Sequence, residues 1–265
     1  MSSTEPQLVT EAEGPRGTGR PVLLGAAFLG LLCGFVGIFI GLSLGGLREL
    51  RNTAALRADP LGATSIQARI QSSDSPVLLL GDSRVNQWHP LPEVDGTPVE
   101  SIGVPGLTAT QLAGAIGLLS PDLRERTVLV QIGINDLKSI GYSDRPQEEI
   151  VESTREAIAT IHDELVRSGA RVRVMTVIPP GPVRFSRRFI WTDRINQSVA
   201  ALNEELVSGA LVPEESVLDI REALGGTSSI DPAFARDTLH LKPEGYEALE
   251  PLVIEAAAAN SAIRN

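Results

Sequence analysis

The stretch Val77-Leu78-Leu79-Leu80-Gly81-Asp82-Ser83 decides the fold. Its apolar half is short and lies between Pro76 and Gly81, a pattern typical of a strand buried on both faces. Gly81 permits a sharp turn, so Ser83 is expected at the carboxyl end of that strand. In an open parallel sheet this is the edge where ligands bind, because the strand-to-helix loops open there.

Further apolar runs predict that the sheet continues on both sides of this strand. Helical patterns separate the runs, and the longest, residues 148–168, ends at Gly169, a typical helix cap. Alternation of strands and helices indicates a parallel sheet covered on both faces. We therefore expect a three-layer α/β/α sandwich with a flavodoxin-like parallel sheet, its strands at residues 77–80, 99–102, 128–132, 172–177 and 217–219.

Two later patches carry complementary chemistry. In Asp237-Thr238-Leu239-His240 the acidic residue and the histidine are three positions apart, so on a helical turn Asp237 could hold the imidazole of His240. Ser83 would then attack as a nucleophile, His240 would accept its proton, and Asp237 would orient the ring. Oxyanion donors would be the backbone N–H groups of Ser83 and Gly106 and the side-chain amide of Asn135, which follows the strand at 128–132.

These patches resemble those of the SGNH/GDSL hydrolases, and the resemblance runs from about residue 75 to about residue 260. Gly133-Ile134-Asn135-Asp136 is the complete Gly-x-Asn-Asp motif of that family, whereas Ser101 stands where many members have asparagine. An α/β-hydrolase is disfavoured, since Ser83 lies outside a Gly-x-Ser-x-Gly elbow. The resemblance implies the SGNH fold, Ser83, His240 and Asp237 as the catalytic triad, and Ser83, Gly106 and Asn135 as oxyanion donors.

The implied activity is hydrolysis of acyl esters, acetyl or short-chain, on cell-envelope carbohydrate or lipid. Two alternatives stay open. The same triad could transfer acyl groups between carbohydrates, since a sugar hydroxyl can replace water in resolving the acyl-enzyme. A catalytically silent, membrane-tethered domain could instead bind glycans through the same cleft.

Residues 22–47 contain no charged side chain, and 26 residues at about 1.5 Å each are long enough to cross a bilayer. No small-residue cleavage site follows, so we expect a retained anchor. We expect the catalytic domain on the extracytoplasmic side, because the N-terminal tail of about 20 residues is too polar and too short to fold. A stripe of glycines there is typical of close helix pairing and predicts a possible homodimer. The expected organisation is a disordered tail (1–20), a transmembrane anchor (21–47), a stalk (48–74) and a hydrolase domain (75–265); the glycines are Gly30, Gly34, Gly37, Gly41 and Gly45.

The composition of the chain argues against some classes of partner and cofactor. A formal charge of −10 and a pI near 4.9 argue against nucleic acid, which requires a basic surface. No cluster of cysteine and histidine has metal-ligand spacing, so we expect neither a metal nor a cofactor.

The loop at 179–191 stands out, because it leaves the fourth strand and combines basic and aromatic residues in an acidic chain that is poor in aromatics. We expect it to bind substrate by stacking on sugar rings or by meeting anionic headgroups. The candidate residues are Arg184, Phe185, Arg187, Arg188 and Trp191.

Overall fold

The computed structural model describes Gly37, residues 63–119 and residues 121–258. Short 3₁₀ turns at Lys138–Gly141, Phe185–Arg187, Glu214–Ser216 and Glu222–Leu224 join the longer elements. In chain order these elements are α1 (Ala63–Ser72), β1 (Val77–Gly81), α2 (Ser83–Asn86), β2 (Glu93–Val94), β3 (Thr97–Pro98), β4 (Glu100–Gly103), α3 (Ala109–Leu119), β5 (Thr127–Gln131), α4 (Ile134–Leu137), α5 (Gln147–Arg167), β6 (Arg171–Met175), α6 (Asp193–Val207), β7 (Val217–Leu218) and α7 (Pro243–Ala258).

Five of the strands form one parallel sheet in the order β4-β1-β5-β6-β7. Numbered along the chain, this is the 2-1-3-4-5 order of flavodoxin-like sheets. Gly81 at the end of β1 pairs with Gly103 of β4 and with Gln131 of β5. The strand order reverses between β1 and β5, and ligands bind at such a switch point because the loops diverge there.

The sheet separates two hydrophobic clusters, as a three-layer sandwich requires. Leu78 and Leu80 of β1 face the cluster built with α1, α3, α5 and α6. Val77 and Leu79 face the cluster that α7 completes from the other side. Adjacent strand residues point to opposite faces, so a strand buried on both sides is apolar throughout. Residues Leu56–Asn265 form a compact unit that contains both clusters.

The predicted strands and the predicted long helix are present, with ends shifted by one or two residues. The short antiparallel pair β2–β3 was not predicted, because two-residue strands produce no alternation of apolar and polar residues.

The expected boundary between stalk and domain was wrong. Helix α1 lies inside the segment assigned to the stalk, yet Ile66 is fully buried in the core. Arg69 of the same helix donates hydrogen bonds to the carbonyl oxygens of Ser101 and Gly103. The domain therefore includes α1, and its apolar face was too short to be recognised without its tertiary partners.

The tail at 1–20, most of the expected anchor at 21–47 and the glycine stripe, apart from Gly37, lie outside the described residues. Within the described part of the chain, no helix is both long enough and apolar enough to cross a membrane.

Candidate active site

Ser83 is the first residue of α2 and follows β1 at a sharp turn. Gly81 is needed there, because a Cβ atom would lie 2.1 Å from the carbonyl oxygen of Gln131. Asp82 caps the helix, since its Oδ1 accepts the backbone N–H of Arg84 at 2.8 Å. These contacts leave Ser83 half-buried at the carboxyl edge of the sheet.

The three residues of the expected triad form a hydrogen-bonded series. Ser83 Oγ lies 3.1 Å from His240 Nε2. On the other side of the ring, Nδ1 lies 2.9 Å from Asp237 Oδ2 and 3.1 Å from Oδ1. With the Nδ1 proton directed at the carboxylate, Nε2 is free to accept the serine proton. This is the geometry that serine activation by a histidine base requires.

Asp237 and His240 meet through a bend of the chain and not through the helical turn that we expected. Asp237 Oδ1 accepts the backbone N–H groups of Leu239 at 2.8 Å and of His240 at 3.1 Å. Burial raises the pKa of Asp237, but the hydrogen bonds from Leu239 and His240 outweigh it and lower the pKa to about 2. The carboxylate therefore stays ionised beside the imidazole at neutral pH.

Asn135 lies in α4, immediately beyond β5, and is 5% exposed. Its Nδ2 donates to the Leu107 carbonyl at 2.9 Å and to Asp82 Oδ2 at 3.3 Å. Its Oδ1 accepts a short bond, 2.6 Å, from Lys138 Nζ. Three hydrogen bonds thus hold the Asn135 amide. The 3.3 Å contact from Nδ2 to Asp82 is the longest, so it is the one that Nδ2 can most readily exchange for another acceptor.

Gly106 lies in the exposed turn between β4 and α3 with a φ of +82°. This left-handed conformation favours glycine. The next residue, Leu107, supplies the carbonyl that holds Asn135. The two loops that carry these candidate donors are therefore joined directly. The backbone N–H of Ser83, in the first turn of α2, has no acceptor within its own helix.

Asp136, the last residue of the Gly-x-Asn-Asp motif, joins the Asn135 loop to α3. Its Oδ2 accepts the backbone N–H of Ala109 at 2.7 Å, and its Oδ1 accepts from Thr110. Burial raises the pKa of Asp136, although these hydrogen bonds oppose the rise. The residue therefore acts as a cap for the helix that follows the Gly106 turn.

Sequence reasoning missed two cations beside these groups. Arg84 is 1% exposed and donates to the carbonyls of Leu239 at 2.6 Å and Ile178 at 2.9 Å, tying the serine helix to the His240 segment. Lys138 holds Asn135 from the next turn. A signal for it existed, because Lys138 is one of only two lysines in the chain and follows Asn135 by three residues, a helical spacing.

The loop after β6 borders the His240 segment. The Gly181 backbone N–H donates to the Thr238 carbonyl at 3.0 Å, and Thr238 Oγ1 donates to the Pro182 carbonyl at 3.0 Å. Arg184 bonds the carbonyl of Arg236. Thr238 lies between Asp237 and His240 in the chain, so the loop is fastened to the segment that carries the proposed base.

The candidate binding residues of this loop have different environments. Phe185 is 75% exposed, Arg184 and Arg188 are exposed, and Arg187 is half-buried. The prediction that Trp191 binds substrate was wrong. Trp191 is 7% exposed, packs in the core and donates its indole N–H to Asn196 at 2.8 Å. Its ring is therefore not open to a substrate. A single tryptophan in a loop carries no periodicity that separates core from surface.

Among residues 63–119 and 121–258, no group of three His, Cys, Asp or Glu side chains is arranged to hold a metal ion.

The profile of the GDSL-like Lipase/Acylhydrolase family matches residues 73–248. The chain belongs to this family. The match includes Ser83, Asn135, Asp237 and His240, so the whole hydrogen-bonded series lies within it. The protein is an ester-bond hydrolase of the SGNH/GDSL type. No curated protein matches the sequence.

Several solved structures share the fold of this chain. A protein from Streptococcus pneumonia with the provisional name platelet activating factor is 18% identical, with a TM-score of 0.59 over 77% of this chain and 95% of its own. A GDSL-like lipase from Bacteroides thetaiotaomicron is 21% identical, with a TM-score of 0.54 over 75% and 96%. A provisionally named acylhydrolase from Bacteroides fragilis is 19% identical, with a TM-score of 0.53 over 75% and 94%. At these identities the similarity shows the fold alone.

Proposed function

We propose that this chain is a serine esterase that hydrolyses acetyl or other short acyl esters of cell-envelope carbohydrate or lipid. The single observation that carries the mechanism is the continuous series from Ser83 Oγ through the His240 ring to the Asp237 carboxylate, with contacts of 3.1 and 2.9 Å. Both contacts are within hydrogen-bonding distance before substrate binds, so the Ser83 proton can pass to His240 without rearrangement while Asp237 holds the ring.

In the acylation step Ser83 Oγ attacks the ester carbonyl carbon while its proton passes to His240 Nε2. The tetrahedral intermediate collapses as the C–O bond to the alcohol breaks, and His240 returns the proton to the leaving oxygen. Water then attacks the acyl-enzyme and loses a proton to His240, and His240 returns that proton to Ser83 Oγ as the bond from Oγ to the acyl carbon breaks and the acid is released. The Asp237 carboxylate stabilises the imidazolium in both halves.

The negative charge that develops on the carbonyl oxygen needs donors already in place. We assign this role to the backbone N–H groups of Ser83 and Gly106 and to Asn135 Nδ2. Asn135 would exchange its 3.3 Å contact with Asp82 for the oxyanion and keep its 2.9 Å bond to Leu107. The Lys138 ammonium on the other end of the amide makes its N–H hydrogens stronger donors.

Substitution of the proposed nucleophile and base tests this function. Ser83→Ala and His240→Ala should each lower ester turnover by about 10⁴ to 10⁶ and leave the fold intact. His89→Ala is the matched histidine control, because His89 is exposed and lies outside the series. A fluorophosphonate should label wild-type Ser83, and peptide mapping should find no label in Ser83→Ala. Substantial turnover by folded Ser83→Ala would refute the mechanism.

A panel of acetylated sugars and acyl esters of increasing chain length would identify the substrate, and added sugar acceptors would separate hydrolysis from acyl transfer. If acceptors suppress release of free acid and acylated sugar accumulates, the chain is an O-acyltransferase with the same triad. If the fluorophosphonate leaves the folded wild type unlabelled, a silent glycan-binding domain replaces the esterase proposal.

We also propose that residues 21–47 anchor the protein in the cell membrane with the catalytic domain outside. The support is the uncharged sequence from residue 22 to residue 47. The full chain should stay with membranes after alkaline washing, and protease added to intact cells should release the catalytic domain. Protection of that domain would reverse the orientation, and a mature form starting after Leu47 would replace the anchor with a cleaved leader.

A further inference from the structure

The loop between β6 and α6 carries a group of exposed rings and arginines that we call the basic–aromatic patch. It consists of Arg184, Phe185, Arg187, Arg188 and Phe189. Phe185 is 75% exposed and Phe189 is 83% exposed. Among the described residues seven large hydrophobic side chains are exposed. Four of them are these two rings, Ile190 of the same loop (40%) and Tyr142 (59%), which follows Gly141, a residue packed on Ile190. Exposed apolar side chains concentrated in one region mark an interaction surface.

The charge of the patch is opposite to that of the chain. The protein has 33 acidic and 23 basic residues, but residues 179–192 contain three arginines and no acidic residue. The patch is therefore a local positive region on a molecule with a net charge of −10. An anionic surface would attract the patch and repel the rest of the domain, which would orient the molecule with this loop foremost.

The arrangement of the two phenylalanine rings favours insertion into a lipid surface over stacking on a sugar. Phe185 and Phe189 meet edge to face, with centroids 6.3 Å apart and planes at 80°. The Arg188 guanidinium lies 6.0 Å from the Phe185 centroid, over the ring. Stacking on a sugar requires an open ring face, and here the face of Phe185 is partly covered. Insertion of protruding rings between lipid headgroups requires no such face.

The patch is also rigidly placed beside the proposed catalytic residues. Its loop is bonded to Thr238 on the His240 side, as described above. On the Asn135 side it packs against Gly141, where a Cβ atom would lie 1.7 Å from the Ile190 carbonyl oxygen. A surface bound by the patch would thus lie next to the edge where Ser83 opens.

We propose that the basic–aromatic patch docks the domain on an anionic lipid bilayer, with Phe185 and Phe189 inserted among the headgroups and Arg184, Arg187 and Arg188 on their negative charges. The bilayer would present acyl esters at its interface to Ser83, and this consequence rests on the proposed esterase function. Docking itself needs no catalysis, so the two proposals can fail separately.

The test uses residues 56–265, which contain both core clusters. Co-sedimentation is measured with vesicles of phosphatidylcholine alone and of phosphatidylcholine mixed with phosphatidylglycerol. The wild type should bind the anionic vesicles and lose binding as salt is added. Replacing Arg184, Arg187 and Arg188 by glutamine should weaken partitioning about 100-fold, since each arginine near such a surface contributes roughly fivefold. Phe185→Ser with Phe189→Ser should weaken it at least about tenfold.

Matched controls remove the same chemistry from elsewhere on the domain. Leu118→Ser with Val166→Ser removes two hydrophobic side chains that are 72% and 48% exposed on α3 and α5. Replacing Arg124, Arg155 and Arg167 by glutamine removes three arginines outside the patch. Both controls should bind vesicles like the wild type, and thermal melting should show that all variants fold.

Ser83→Ala distinguishes the two proposals, because it should abolish ester turnover and keep vesicle binding. Wild-type affinity in both patch variants would overturn the docking proposal and leave the esterase untouched. Equal loss in patch and control variants would also overturn it, since the effect would then be general charge or hydrophobicity. Retention on an acetylated polysaccharide without vesicle binding would assign the patch to carbohydrate instead.

Discussion

Lys138→Met provides the sharpest test of how the proposed oxyanion hole works. Lys138 Nζ lies 2.6 Å from Asn135 Oδ1, and this bond both fixes the amide and polarises its N–H groups. A hydrogen bond to a charged group is worth about 1.5–3 kcal/mol. Complete loss of one oxyanion donor costs about 10² to 10³ in kcat, which sets the ceiling. Because Leu107 still holds the Asn135 amide in the variant, we expect a loss of roughly 10- to 100-fold in kcat/KM.

The assay is steady-state hydrolysis of a small aryl acetate by the full chain and its variants, with thermal melting as the check of folding. KM should change little, because the lost interaction strengthens in the transition state. Asn135→Ala combined with Lys138→Met should be no slower than Asn135→Ala alone, since both changes act on the same amide. Lys138→Arg retains the charge and should recover part of the rate.

The pH profile adds a second readout. Burial lowers the pKa of Lys138 below its ordinary value of 10.5; the nearby Arg187 charge adds to this effect, and Asp82 opposes it. The ammonium is present below the lowered pKa and is lost as pH rises through it, so activity should decline on the alkaline side. Lys138→Arg should lack that decline. Unchanged kcat/KM in folded Lys138→Met, or strictly additive losses in the double variant, would refute the role of Lys138 through Asn135.

Three further predictions concern other parts of the domain. Asp237→Asn should lower kcat by about 10⁴, because the ring loses its orienting carboxylate. The variant should also be less stable than the wild type, fully so above pH 4 and less so as pH falls toward the native pKa of Asp237, about 2. Denaturant titrations at several pH values would show this change. Gly141→Ala should destabilise the domain by about 1–3 kcal/mol, because a Cβ atom would clash with the Ile190 carbonyl. Gly117→Ala is the control: Gly117 is exposed on a helix with free space for a Cβ atom, so this change should stabilise the domain by up to about 1 kcal/mol. If the unfolding curves of the two variants shifted alike, the packing of Gly141 on Ile190 would be contradicted. Ile66→Ala should cost about 2–5 kcal/mol if α1 belongs to the domain, whereas an unaltered melting temperature would return residues 63–72 to a stalk.

The sequence by itself determined the central layer of the molecule. A strand buried on both faces is apolar at every position, so the run 77–80 and its counterparts could be recognised locally. Because parallel strands end at one edge, the residues that follow them were expected to meet there. Ser83 and Asn135 lie at that edge, after the paired strands β1 and β5. The chemistry of a serine, a histidine and an aspartate in these patches therefore pointed to the site before any contact was known.

Only the tertiary structure decided what depends on partners distant in the chain. Helix α1 was taken for a stalk, because its two buried isoleucines have a core to enter only once the sheet is assembled. Trp191 was assigned to the binding surface, and only its neighbours show that it is buried. Arg84 was overlooked because the carbonyl that it reaches belongs to Leu239, 155 positions away, whereas Lys138 had a local signal in its spacing from Asn135. The local sequence pattern indicates which face of a helix or strand is apolar. Which groups meet across different elements depends on packing, and packing is a property of the whole chain.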